Sequence, residues 1–152
     1  MRIGQRVRIA RSVLQYGRRQ LRNAVFLQPE HQSFPGRVHG GLVSAMIDEL
    51  GLRALWSSEG EGKFGVTFSL DTSYRKPVPY NEQLLARGVV VKSSPRFLVV
   101  ESKIFSHTGE LLANGTVKYL RLDIDKIASG ADPHEEMCYN DNVFPEDLDL
   151  PQ

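Results

Sequence analysis

Residues 39–57 read HGGLVSAMIDELGLRALWS, and this stretch decides the fold. From Gly41 onward Leu42, Met46, Leu50 and Ala54 recur at helical spacing, as do Val43, Ile47, Leu50 and Leu55. Ala45, Leu52 and Trp56 fill much of the remaining surface. The spacing predicts a helix over 41–57. A helix apolar on nearly every side is expected to be buried on nearly every side.

Downstream the period changes from 3.6 to 2. Phe64, Val66, Phe68, Leu70, Thr72 and Tyr74 alternate with Gly65, Thr67, Ser69, Asp71, Ser73 and Arg75, which predicts a long half-buried strand ended by Pro77 and Pro79. Residues 82–93, 96–107 and 110–123 read as three further strands, antiparallel by default because they follow one another closely. Upstream, residues 21–29 read as a short strand and 30–39 as a loop carrying Pro35 and Gly36. The organisation expected is a basic extension over 1–20, readable as a frayed helix, one domain over 21–125, and an acidic tail over 126–152 with no period.

One helix apolar all round needs a cover, and the sheet is what the chain offers. The expected fold class is therefore α+β, an antiparallel sheet wrapped around one long central helix. Val89, Val91, Phe97, Val99 and Ile104 are left over as apolar residues on the sheet's outer face, a pointer to self-association.

Bulk properties exclude several classes. The chain has 152 residues, 41% of them hydrophobic, and no apolar run approaches the roughly 20 residues of a membrane span. One cysteine, Cys138, leaves no internal disulfide, so a reducing, cytoplasmic setting is expected. The Arg-rich start would also suit an organellar transit peptide, although it is poor in serine. The net charge of +1 conceals seven arginines and no acid in residues 1–29, and seven acids and no Lys or Arg in residues 130–152. Such blocks are ordinarily solvated arms. No phosphate-cradling glycine motif, nucleophile elbow or metal-ligand spacing is present, so no cofactor and no metal is expected.

The chemistry concentrates in His39-Gly40-Gly41-(six residues)-Asp48. Glycines at a helix start let a ligand approach backbone N–H groups that carry partial positive charge, which suits a developing oxyanion or simply a tight helix entry. Asp48 lies two turns into the most apolar helix, with Ser44, Ala45, Gly51 and Leu52 as helical neighbours and no cation among them. A carboxylate in that position is costly unless it has a function or a backbone donor from a neighbouring chain. Glu49 has Arg53 at i+4 and reads as structural. Ser44 and Gly51 are expected to leave room beside Asp48 for water or an acyl group.

The runs HQSFPGRVHGGLVSAMIDELGLRAL (31–55) and GVTFSLDTSYRKPVP (65–79) together resemble the hotdog-fold thioesterases of the phenylacetyl-CoA thioesterase-like branch, over about residues 21–123. The resemblance implies hydrolysis of an acyl-CoA thioester to free acid and coenzyme A by a homodimer or homotetramer. It implies that Asp48 attacks or activates water, that the Gly41 N–H polarises the carbonyl beside His39 and Gly40, and that Thr67 orients the water. It implies that Arg75 and Lys76, with Arg96 behind them, meet the phosphates of coenzyme A. Relatives place Asn or Gln six residues before the motif histidine; here Ser33 stands there with Gln32 beside it, so a side-chain oxyanion donor is in doubt. Sites of this family lie between two subunits, which would allow Asp48 and Thr67 to come from opposite chains. The alternative class is a non-catalytic acyl-CoA-binding or regulatory hotdog module, favoured by the early arginines. They are too few residues for a complete DNA-binding domain, so nucleic acid is not an expected partner. A hotdog dehydratase, with His39 as its histidine, fits less well.

Overall fold

The computed structural model describes residues 13–17, 20–59, 63–128 and 130, with side chains from Ala24 onward. The apolar segment forms helix α1 (Gly40–Glu59), and the alternating segments form β3 (Gly65–Tyr74), β4 (Gln83–Ser93), β5 (Phe97–Phe105) and β6 (Leu111–Arg121). Ahead of the helix lie β1 (Val13–Gly17) and β2 (Gln20–Phe26); after β6 comes the short α2 (Ile124–Ile127). The strands make one antiparallel sheet in the order β1-β2-β4-β5-β6-β3, and α1 packs against every strand of it. No helix among the described residues is long and apolar enough to cross a membrane.

Inward residues of each strand alternate and close on the helix. Leu84, Leu98, Val100 and Val117 meet Val43, Ile47, Leu50 and Leu55 in one cluster. The helix lies close to the sheet because of a row of small residues. Gly88 pairs with Ser102, and Ser102 pairs with Gly115. A Cβ on Gly115 would stand 2.7 Å from Ile47 Cγ2, and one on Gly88 3.0 Å from the Leu50 carbonyl oxygen. The Ser102 hydroxyl in this row is buried with no hydrogen-bond partner among the described residues.

Four expectations are corrected here. Val13–Gly17, inside the segment read as a frayed helix, is an edge strand paired with β2. The rest of 1–20 except Gln20, and the tail beyond residue 130 with Cys138, lie outside the described residues. Ile104 is fully buried, since it shares the inward parity of Leu98 and Val100, whereas Phe97 and Val99 face outward half-buried and Val91 stands exposed. The helix is covered on one side: Gly41, Ala45 and Glu49 are exposed, Leu42 and Leu52 half-buried.

The fourth correction is β3, read as half-buried but mostly exposed at the sheet's edge, with Phe68 62%, Leu70 38% and Tyr74 54% accessible. Its pairing with β6 slips between Thr67 and Ser69. Phe68 is the extra residue of this bulge and turns to the outer face, where Lys118 Nζ lies 5.3 Å from its ring and 4.7 Å from that of Phe97. A bulge resets the alternation. Thr67 consequently faces the helix together with Thr72 and Tyr74, a grouping that strict alternation forbids.

Candidate active site

The bulge brings Thr67 to Asp48. Its Oγ1 donates to Asp48 Oδ1 at 2.8 Å. The two residues therefore meet within one chain. Directly opposite Thr67 on β6 stands Tyr119, 2% exposed, whose hydroxyl donates to the Asp48 backbone carbonyl and reaches Oδ1 at 3.1 Å. No basic side chain bonds to Asp48 among the described residues. Arg53 is taken by Glu49 at 2.8 Å, as their spacing predicts. Asp48 is half-buried, and its Oδ2 accepts no hydrogen bond from the described residues.

Sequence reading missed Tyr119. A strand tyrosine at an inward position needs a partner for its hydroxyl, and a glycine in mid-helix needs a reason. The two signals belong together, because a Cβ on Gly51 would collide with the Tyr119 hydroxyl oxygen. The space expected for water or an acyl group beside Gly51 is filled by this phenol. The space beside Ser44 is filled too: its Oγ lies 2.6 Å from the Tyr74 hydroxyl and donates to Thr72 at 3.3 Å, while Tyr74 donates to the Gly40 carbonyl at 2.9 Å. Burial, followed by the Asp48 charge and hydrogen bond, pushes the Tyr119 phenol well above its ordinary value of 10.0. It remains a donor throughout the working pH range.

The helix start is capped. The Gly41 N–H donates to His39 Nδ1 at 2.9 Å, and the His39 carbonyl accepts from Leu42 and Val43. The donor expected for a thioester carbonyl is thus engaged by an exposed imidazole. Asp48 stands seven positions after Gly41, about 10 Å along the helix axis. Both groups cannot touch one carbonyl within a single chain. Gln32 Oε1 accepts from Tyr80 at 3.3 Å, and the Ser33 N–H bonds the Arg37 carbonyl; neither residue contacts Asp48.

At the far end of β3, roughly 25 Å along the strand from Thr67, Arg75 Nε donates to Asn114 Oδ1 at 3.1 Å and Lys76 pairs with Glu110. Arg75 meets no acid among the described residues, whereas the charge of Lys76 is balanced. Arg96 is exposed in the turn before β5, with no side-chain partner among the described residues. At the C-terminal end of α1, Arg121 grips Glu59 with both terminal nitrogens, at 2.6 and 2.5 Å, and the Ser94 carbonyl with Nε. An open cavity of about 820 Å³ beside this pair, lined by Lys63, Phe64, Leu122 and Asp125 among others, holds none of the Asp48 group.

Comparison with known proteins agrees with this layout. The family model described as Thioesterase superfamily matches residues 35–113, just over half of the chain. The chain is similar to acyl-coenzyme A thioesterase 13 of Homo sapiens, 27% identical over 90 residues that make up 59% of this chain and 64% of the relative. It is 31% identical over 96 residues to acyl-coenzyme A thioesterase THEM4 of Rattus norvegicus, 62% of this chain and 40% of that one. The chain thus spans less than two thirds of the length of these relatives. Among solved structures, a Streptococcus mutans protein bound to acetyl CoA superposes with a TM-score of 0.68 at 16% identity, covering 80% of this chain and 98% of the other. A mutant of the phenylacetic acid degradation protein PaaI from Thermus thermophilus does so with 0.63 at 25% identity, covering 72% and 91%. The first of these likenesses carries the fold alone. With the family model spanning helix α1 and strands β3 to β5, the chain belongs to the thioesterase superfamily, in its hotdog architecture.

Proposed function

We propose that the chain hydrolyses an acyl-CoA thioester, with Asp48 as general base. The observation that carries this reading is the Asp48 carboxylate itself, half-buried, held at Oδ1 by hydroxyls, and matched by no cation among the described residues. A carboxylate clamped by Arg or Lys has its oxygens occupied; one oriented at a single oxygen by hydroxyls leaves the other oxygen open to water. Water adds to the thioester carbon and passes its proton to Oδ2. The oxyanion is met by a backbone N–H, and collapse expels the coenzyme A thiolate, which takes that proton.

The site is completed by a second copy. An antiparallel approach of two α1 helices across the uncovered face, centred near the small residues Ser44 and Ala45, carries the Gly41 of the partner subunit to Asp48. The long exposed edge β3, ten residues with one charge, favours the same association, because an unpaired edge of that length invites a neighbouring strand. His39 swings aside as the carbonyl takes its place on the Gly41 N–H. Arg75 meets phosphate, since it meets no acid among the described residues. A homodimer in a reducing, cytoplasmic compartment is the form this reading implies.

The test is release of free thiol from a panel of aliphatic and aromatic acyl-CoAs, with sedimentation at the assay concentration. Turnover of at least one substrate by a dimer is expected. No thiol from any member of the panel, or full turnover by a monomer, overturns the reading.

A further inference from the structure

We propose that Tyr119 is a positioning residue for the Asp48 carboxylate, fixing Oδ1 together with Thr67 so that Oδ2 is the oxygen presented to water. This inference rests on the hydrolase reading above and deepens it.

Three features of the geometry point the same way. Thr67 and Tyr119 are directly paired across β3 and β6, so both donors ride on one rung of the sheet and converge on one carboxylate oxygen. The Tyr119 hydroxyl is also threaded into the helix. Its one proton is shared between the Asp48 backbone carbonyl and the Asp48 Oδ1. It therefore fixes the backbone and the side chain of Asp48 together. Lastly, the helix is hollowed for the phenol at Gly51, where even a methyl group would collide with the ring and its oxygen.

A carboxylate with two oxygens free to rotate offers its lone pairs in many directions. Two donors on one oxygen remove that freedom, and the other oxygen is aimed before substrate arrives. The benefit falls on the chemical step and not on binding.

The test compares acyl-CoA hydrolysis by the wild type, Tyr119→Phe, Asp48→Asn and the double variant, each checked by circular dichroism to be folded at the assay temperature. Tyr119→Phe is expected to lower kcat about 10- to 100-fold, with KM within about twofold. The double variant is expected to be no slower than Asp48→Asn alone, because the phenol acts through that carboxylate. Gly51→Ala, which pushes the phenol away while keeping it, supplies a second route to the same kcat loss should Tyr119→Phe not fold. A folded Tyr119→Phe or Gly51→Ala with wild-type kcat, or a double variant whose losses multiply, overturns the proposal. Full activity in Asp48→Asn sinks the general-base reading instead. An inactive Asp48→Asn beside a fully active Tyr119→Phe sinks the tyrosine alone.

Discussion

Helix α1 carries two sheet-facing carboxylates, and the chain treats them in opposite ways. Glu59, at the C-terminal end, is met by the Arg121 guanidinium with both terminal nitrogens and by the Ser93 hydroxyl. Asp48, about three turns earlier, is met by two hydroxyls and by no cation among the described residues. The first arrangement ties the helix end to the β4–β5 turn and to β6. Its fork-on-carboxylate geometry neutralises the charge and gives the acid nothing further to do. The second satisfies the hydrogen bonds of one oxygen and leaves the charge uncompensated, which is a poor way to build stability and a good way to keep a base. The contrast separates a carboxylate that holds the fold from one left open for the chemistry proposed for it.

The contrast can be broken at several points. Thr67→Val removes a donor from Asp48 and leaves Arg121 and Glu59 untouched. It is expected to lower kcat about 10- to 100-fold with the melting temperature almost unmoved; steady-state kinetics beside a thermal melt reads both. Glu59→Gln is expected to do the reverse, keeping kcat and lowering stability by about 1 kcal/mol, as seen in urea unfolding. The same pair gives an acid signature. The Arg121 hydrogen bond, opposed in part by burial, holds the Glu59 carboxyl below its ordinary value of 4.5. Its contribution is therefore present above that value and lost as pH falls through the lowered one. Wild-type stability should drop more steeply than that of Glu59→Gln below about pH 4.5. The smallest effect is expected at Ser102→Ala. Its hydroxyl is buried without a partner among the described residues, so removal should leave stability unchanged or raise it by up to about 1 kcal/mol. A clear loss would show that the row beneath the helix depends on that oxygen.

Much of this was legible in the sequence, and the gaps have physical causes. The switch of period from 3.6 to 2 located α1 and the four long strands to within a residue or two. The absence of a cation at helical spacing singled out Asp48. What alternation could not reveal was the bulge at Thr67–Ser69, since one extra residue reverses every later facing, and no local residue announces it. Thr67 was found through family resemblance, not through its spacing. Tyr119 escaped because its partner lies 71 residues away, and the vacancy at Gly51 was read as room for a ligand when it was room for the phenol. Ile104 was placed on the wrong face by counting apolar residues without their parity. Glu59 and Arg121 are separated by 62 residues, and their pairing is a product of the fold.

The most direct measurement is the turnover number of Asp48→Asn set against that of Glu59→Gln, on whichever acyl-CoA the wild type hydrolyses. Asparagine at 48 can still accept from Thr67 and Tyr119, so the variant should fold as well as the wild type while losing about a thousandfold in kcat; Glu59→Gln should retain its rate. An Asp48→Asn enzyme that turns over at the wild-type rate would contradict the assignment of this carboxylate as the base.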